Sequence, residues 1–307
     1  MRHHRSLEEC QLNKSRLTIG SFDGVHRGHQ EILKHLVSDK NKQQRPIVVL
    51  TFFPHPAIVL GRRQEPFYIN TPNERAALLF DCGADHVITQ TFDQDLAKIP
   101  AITFVDSLQQ HLGFEKLIVG PDFALGHKRE GDIQYLRTLG TKFGYSVDVV
   151  PPYQIGGVAV SSSNIRNLIR DGSVEKAGLY LGRPFFLKGK VVSGDARGRS
   201  IGFPTANMDT WDERAVPKPG VYVCIVRLAG TNYQAVTNIG YRPTFNNKPE
   251  NPLVETHLLD FNGDIYGDDI QIDFIQRLRD EIRFPSIDYL VSQIEADVSH
   301  ARQILDR

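Results

Sequence analysis

Cysteine is scarce in this chain: Cys10, Cys82 and Cys224 are all that 307 residues contain, odd in number and far apart. Such a set argues against a disulfide framework, suggests no metal cluster, and fits a reducing cytoplasm. Net charge is absent as well, with 36 Lys+Arg against 36 Asp+Glu. No long-range field draws the chain to nucleic acid or to an anionic membrane, so any phosphate binding must come from local groups. No apolar run is long enough for a membrane span, and the N-terminal MRHHRSLEECQLNKS is basic without the apolar stretch of a signal peptide. His3 and His4 there read as part of a solvated tail. Internal repeats and low-complexity segments are also missing. The remaining reading is a cytoplasmic chain long enough for two domains, with 40% hydrophobic residues to fill their cores and no obligatory protein partner implied.

The pattern that is present begins with an alternation. Apolar runs at 17–19, 47–52, 86–88, 116–119 and 146–150 read as buried strands, with helical periodicity between them. Thr71-Pro72-Asn73-Glu74 is a capping box with proline at the first helical position. Gly144 comes after a helix running from Asp132 to Phe143 and stands where a C′ glycine belongs. This order predicts an α/β domain, a parallel sheet flanked by helices in Rossmann-like fashion, with ligands at the carboxyl ends of the strands. After Gly182-Arg183-Pro184 the texture changes. Short strands at 185–192, 221–227, 234–239, 254–260 and 269–274 are separated by Gly, Pro, Asn and Asp, which predicts a small antiparallel β-barrel or a sandwich. A terminal helix begins after Ser286, and its stripe of Ile287, Leu290, Val291, Ile294, Val298, Ala301 and Leu305 is expected to dock on that barrel. The domains are divided at 183/184, giving 1–183 and 184–307.

The richest segment for chemistry is GSFDGVHRGHQ, Gly20 to Gln30, between a strand pattern and a helix pattern. Histidines His26 and His29 then sit at a helix start, beside free amide N–H groups and the positive end of the helix dipole, a ready site for a phosphate chain. Gly28 lets an anion approach the backbone, and Gly20, Phe22 and Asp23 complete the candidate phosphate turn. A capping turn with two surface histidines is the bland alternative. VSSSNIR, 160–166, adds Ser162 and Ser163 as hydroxyl donors and Arg166 as a forked cation at a second helix start, where a bare N-cap is the alternative. TFFPHP, 51–56, offers Pro54 and His55 as one wall of a pocket for a flat aromatic ligand, although alone it reads as a rigid turn. In VGPDFALGHKREGD, 119–132, Asp122 can bind a ligand amide or sugar, and Lys128 and Arg129 are phosphate contacts or a solvated basic loop. Together these segments describe adenylyl transfer, in which two imidazoles and an arginine stabilise charge on an α-phosphate while a phosphate nucleophile displaces pyrophosphate.

The second half carries GDARGRSIGFPTAN, 194–207. Gly194 and Gly202 suit a loop that wraps phosphates, and Arg199 supplies charge, but no Gly-Lys-Ser/Thr comes after it, so this is not a Walker A sequence. Thr205 and Asn207 alternate along an extended piece and point the same way, a hydroxyl and a carboxamide oxygen suited to Mg²⁺. A polar turn explains the segment equally well in isolation. Glu255, mid-strand among apolar residues in LVETHLLDFNGDIYG, can accept a proton from a substrate hydroxyl; an outward-facing strand residue is the alternative. Arg242, in NIGYRPTF, is a ligand contact or a structural charge.

Over nearly its whole length, the chain resembles the prokaryotic bifunctional riboflavin kinase/FMN adenylyltransferase (FAD synthetase) family. The resemblance rests on GSFDGVHRGHQ, TFFPHP, VGPDFALGHKREGD, VSSSNIR, GRSIGFPTAN, GVYVC, NIGYRPTF, ETHLLDFNGDIYG and FPSIDYLVSQIEAD, in this order. It implies an N-terminal HxGH nucleotidyltransferase domain that turns FMN and ATP into FAD and pyrophosphate, and a C-terminal barrel that turns riboflavin and ATP into FMN and ADP. By the same resemblance His26 and His29 serve adenylyl transfer, and Ser162, Ser163 and Arg166 occupy the SST-x-x-R phosphate position. Pro54, His55 and Asp122 fall near the adenylylation site, Thr205 and Asn207 match the magnesium-binding PTAN pair, and Glu255 matches the kinase base. Ser163 stands where the family commonly has threonine, and Ala124 and Leu125 stand where a polar or basic residue and an aromatic are expected. Two other readings are set against this one: an HxGH enzyme with a different acceptor, which the PTAN segment and Glu255 disfavour, and a flavin-binding regulator that has lost catalysis, which the intact candidate residues disfavour.

Overall fold

The computed structural model of the protein describes residues 1–38, 45–62, 67–194, 198, 201–241 and 252–306. Chain contacts divide it into two units, Met1–Ser162 and Ser163–Arg307.

The first unit is built on six strands, β1 (Arg2–His4), β2 (Ser15–Ile19), β3 (Ile47–Phe53), β4 (His86–Thr91), β5 (Phe114–Val119) and β6 (Ser146–Val149). Their order is β1-β4-β3-β2-β5-β6 and every pairing is parallel. Helices α1 (Arg27–Ser38), α2 (Pro56–Val59), α3 (Pro72–Asp81), α4 (Ala101–Leu112) and α5 (Ile133–Phe143) connect them. Successive residues of β3 feed opposite cores: Val48 and Leu50 join a cluster with Leu108 and Leu136, while Ile47 and Val49 join one with Leu33, Leu36 and Leu79. Both faces are therefore buried, which is why the strands read as continuous apolar runs. The capping box forms as expected, Thr71 Oγ1 accepting from the Glu74 amide at 3.2 Å and Glu74 Oε2 from the Thr71 amide at 3.0 Å. Gly144 ends α5 at φ +80°. The strand order reverses beside β2, where an open α/β sheet forms its ligand crevice.

One expectation fails at the amino end. Arg2–His4 is the sixth strand and no solvated tail: it pairs with β4 in the register His4↔Ile88, and His4 is 9% exposed. Three polar residues carry no hydrophobic period. The backbone ladder offered by the edge of β4 orders them, and this covers an otherwise open sheet edge.

In the second unit, α6 (Ser162–Arg170) and α7 (Val174–Leu181) lead into a closed barrel. Its strands are β9 (Phe185–Val192), β10 (Ala206–Met208), β11 (Gly220–Leu228), β12 (Thr231–Gly240), β13 (Leu253–Leu258) and β14 (Asp269–Arg279). (A short hairpin, Gln154–Ile155 with Val158–Ala159, supplies β7 and β8 in the first unit.) The barrel order is β10-β13-β12-β11-β14-β9, closed by β9 on β10 and antiparallel throughout. Burial alternates along β13: Val254, Thr256 and Leu258 are buried, whereas Leu253, Glu255 and His257 are only partly so. Thr237 and Thr256 satisfy one another in the interior with a 2.8 Å hydroxyl hydrogen bond.

The terminal helix α8 (Ile287–Leu305) corrects a second expectation. Val298, Ala301 and Leu305 pack with Val221, Val223 and Val236 of the barrel. The front half of the stripe behaves differently: Ile287 is 64% exposed, and Leu290 and Ile294 wall a cavity instead. Period alone marks an apolar face; it does not say whether protein or ligand covers it.

Candidate active sites

The first site lies beyond the carboxyl end of β2. Phe22 and Val25 take positive φ, +49° and +39°, around Gly24, so the chain folds tightly before α1 begins at Arg27. His26 immediately precedes the helix, and its Nδ1 accepts a 3.4 Å hydrogen bond from the His29 amide. The two imidazoles stack at 3.6 Å between centroids, 19° from parallel, and the Phe22 ring abuts His29 edge-on at 5.0 Å. A Cβ on Gly28 would come within 3.2 Å of the His26 ring, so glycine here permits the close stack as well as a ligand's approach. Asp23 is fully buried. Its carboxylate accepts from the amides of Ile69 (3.1 Å) and Asn70 (3.3 Å) and lies 3.9 Å from the Arg75 guanidinium. The Asp23 carbonyl takes the Ser162 hydroxyl at 2.8 Å. Phe22 and Asp23 thus hold the turn in shape from beneath.

Beside this turn is a cavity of about 620 Å³. Gly20, His55 and Asp122 line it, together with Phe52, Phe92 and Phe123. His55 is fixed three ways: its amide donates to Tyr68 Oη at 2.7 Å, its Nδ1 accepts from the Ala57 amide at 3.0 Å, and its ring meets Phe67 edge-on. Pro54, partly buried, precedes it across a cis Phe53–Pro54 bond. Ala124 and Leu125 line the same cavity, Leu125 also belonging to the core. Ser163, exposed, and Arg166, buried, lie on α6 in the second unit.

The second site is built on the barrel wall. Asn207 of β10 stands opposite Glu255 of β13, which stands opposite Asn238 of β12, so three polar side chains share one face across three neighbouring strands. Thr205 joins them from just before β10. Glu255 does face out of the barrel, but that outer face is the wall of a cavity of about 470 Å³, shared with Thr205, Asn238, Leu290 and Ile294. A second cavity, about 370 Å³, opens on the other side of Thr205 between Pro204 and the 261–266 turn. Thr205 lines both. Asn207 Oδ1 is buried and has no hydrogen-bond partner among the described residues, an unusual state for a carboxamide and one that a bound cation relieves. Gly194 packs against it so closely that a Cβ would lie 2.0 Å from Asn207 Nδ2. Gly202 stands in the same loop region at φ +88°. Arg199 and Arg242 lie outside the described residues.

Two family models divide the chain: the one described as FAD synthetase matches residues 8–164, and the one described as riboflavin kinase matches residues 181–305. A bifunctional riboflavin kinase/FMN adenylyltransferase of Escherichia coli (strain K12) is 38% identical over 289 residues, covering 94% of this chain and 91% of its own. The chain belongs to the bifunctional riboflavin kinase/FMN adenylyltransferase family. A family member of that name from Bacillus subtilis (strain 168) is 37% identical over 301 residues, 97% of this chain and 94% of its own. A crystal structure described as a macrolide-efflux protein from Streptococcus pneumoniae superposes with a TM-score of 0.89 at 32% identity, covering 98% of both chains. That label describes the pneumococcal protein; among the described residues here, no helix is long and apolar enough to cross a membrane.

Against this family background, several residues of the two sites were not legible in the sequence. Asn238 gives no local signal, because only the β12–β13 register places it beside Glu255. The same holds for the Arg279–Asp297 ion pair at 2.7 Å, which ties β14 to α8 at the edge of the larger barrel cavity. Arg75, fully buried beneath the histidine turn, donates to Thr51 Oγ1 and to the Phe52 carbonyl, both at 3.1 Å. The capping box predicts its helix, but no local pattern gives its inward direction.

Proposed function

We propose that this chain phosphorylates riboflavin to FMN on its barrel and adenylylates FMN to FAD, with release of pyrophosphate, on its parallel sheet, residues 1–183 and 184–307 being the two functional segments. The observation that carries the reading is the placement of Thr205 between two cavities of the barrel, with Glu255 and the orphaned Asn207 oxygen beside it. A kinase needs this arrangement: one pocket for a nucleotide, one for an acceptor, and the reacting groups where they meet.

In the kinase step, the flat ring system of riboflavin occupies the cavity between β13 and α8, against Leu290 and Ile294. Glu255 accepts the proton of the ribityl hydroxyl as its oxygen attacks the γ-phosphorus of ATP, and ADP leaves. The donor set fits Mg²⁺: Thr205 and Asn207 offer hard oxygens, and the ion would supply charge neutralisation on the triphosphate. Gly194 and Gly202 leave the backbone open to the phosphates. In the transfer step, an FMN phosphate oxygen attacks the α-phosphorus of a second ATP. His26 and His29, held at the N-terminus of α1, stabilise the charge that develops there as pyrophosphate departs. The cavity lined by His55, Phe52 and Asp122 receives the flavin. The phosphate-binding roles of Ser163 and Arg166 rest on the sequence resemblance alone.

The test is chromatography of flavin products from purified protein with riboflavin, ATP and Mg²⁺. FMN is expected to rise first and FAD to appear after it; FMN without FAD, even at high FMN, overturns the transfer half. Replacing ATP by CTP is expected to abolish both products.

A further inference from the structure

Three side chains with no part in either proposed reaction, His4, Cys10 and His86, come together in the first unit. They arrive from β1, from the turn after the short 3-10 helix Leu7–Glu9, and from the start of β4. Their ligating atoms all lie within 4.8 Å of one another. His4 Nε2 is 3.0 Å from His86 Nδ1, and Cys10 Sγ is 3.9 Å from the same nitrogen. A tetrahedral zinc ion with Zn–N near 2.0–2.1 Å and Zn–S near 2.3 Å sets its ligand atoms roughly 3.3–3.6 Å apart. The hydrogen-bonded separations of 3.0 and 3.9 Å lie on either side of that range and the third pair is within 4.8 Å, so the three side chains must exchange their mutual hydrogen bonds for bonds to the ion. The imidazole rings already lie 17° from parallel, with centroids 5.3 Å apart.

We propose that His4, Cys10 and His86 bind one divalent transition-metal ion, Zn²⁺ by ligand chemistry, which pins the N-terminal edge strand to the sheet. One thiolate with two imidazoles selects zinc-like ions over Mg²⁺ and Ca²⁺. Cys10 is 1% and His4 9% exposed, which shields two sides of the site; His86 is partly exposed and leaves the fourth position to water. Metal binding displaces the Cys10 thiol proton, which goes to solvent as the sulfur–metal bond forms. Arg2 and the N-terminal ammonium oppose a cation here and Asp85 favours one. His86 opens β4, at the end of the sheet opposite the carboxyl ends where His26 and His29 stand, so the site is separate from the proposed chemistry.

The experiment uses the full chain without a histidine tag, stripped with chelator and titrated with Co²⁺, then with Zn²⁺ in competition. One Co²⁺ per chain with a thiolate charge-transfer band is expected, displaced by Zn²⁺, along with a Zn²⁺-dependent rise in melting temperature. Cys10→Ser is expected to remove the band. Because Cys10 packs in the core and that variant can fail to fold, His4→Gln on the edge strand is the second probe. It is expected to keep FAD formation while weakening Co²⁺ binding at least about tenfold, since metal affinity depends on every ligand. Absence of the band in the wild type, its persistence in Cys10→Ser, or equal affinity in His4→Gln would each overturn the proposal.

Discussion

The two units place their candidate chemistry on different parts of the fold. In the parallel sheet, the strands are buried on both faces and the chemistry sits on the segments that leave their ends: the turn after β2, the loop after β3 and the loop after β5. In the barrel, the chemistry sits on the strands themselves, with Asn207, Glu255 and Asn238 side by side through register. A loop site is assembled from consecutive residues, so its geometry is local. A strand site is assembled across the sheet, so its geometry depends on pairings far apart in sequence. The first tolerates changes in the sheet that keep the turn; the second fails when one strand shifts.

The largest effects should come from separating the two sites. His29→Ala is expected to lower FAD formation by about 10²–10³ in kcat, the cost of losing a preorganised charge-stabilising group, and to leave FMN formation unchanged. Glu255→Gln is expected to do the opposite, lowering FMN formation by about 10²–10⁴ in kcat with little change in KM. Steady-state assays of each half-reaction read both.

Next comes the strand site's sensitivity to its support. Gly194→Ala puts a methyl where Asn207 Nδ2 already lies, 2.0 Å away, and is expected to cost the kinase about 10²-fold with an increased Mg²⁺ requirement. Gly28→Ala meets the His26 ring at 3.2 Å and the Val160 carbonyl at an ordinary 3.7 Å, and FAD formation should fall about tenfold or less. Equal losses from the two would erase the contrast between the sites.

A different kind of effect, on stability, concerns α8. Asp297 is held by Arg279 through both oxygens, with Gln293 adding a 2.9 Å hydrogen bond, in a largely buried setting. Asp297→Ala removes the counter-charge but leaves the guanidinium the Asp280 carbonyl and the Phe284 ring face, and should destabilise the barrel unit by about 3 kcal/mol, read by denaturant unfolding. Asp260 pairs with Arg302 in the last turn of α8 with comparable distances but at an exposed position. The arginine holds its carboxyl below the usual range, so its small contribution is present above the unfolded carboxyl pKa and is lost as pH falls through the folded one. Asp260→Asn should scarcely move the unfolding midpoint at neutral pH, because water screens the pair.

Legibility in the sequence divides along the same line. The parallel strands, the capping box at Thr71 and the glycine stop at Gly144 could be read because each depends on near neighbours. The HxGH turn was readable for the same reason, although the inward side chain of Asp23 was not, since its partners are 46 residues away and beyond. The Asn207–Glu255–Asn238 row is a product of strand register and the Arg279–Asp297 pair of helix docking, and neither carries a local signal. The N-terminal strand escaped because its order comes from the edge of β4 and from no pattern of its own.

The most direct test of the central claim, two independent sites on one chain, is complementation. His29→Ala and Glu255→Gln proteins are each supplied with riboflavin, ATP and Mg²⁺, alone and then mixed, and the products are separated by chromatography. The account predicts FMN alone from the first, almost no product from the second, and FAD from the mixture. A mixture that accumulates FMN without FAD, or FAD from either variant alone at the wild-type rate, would contradict it.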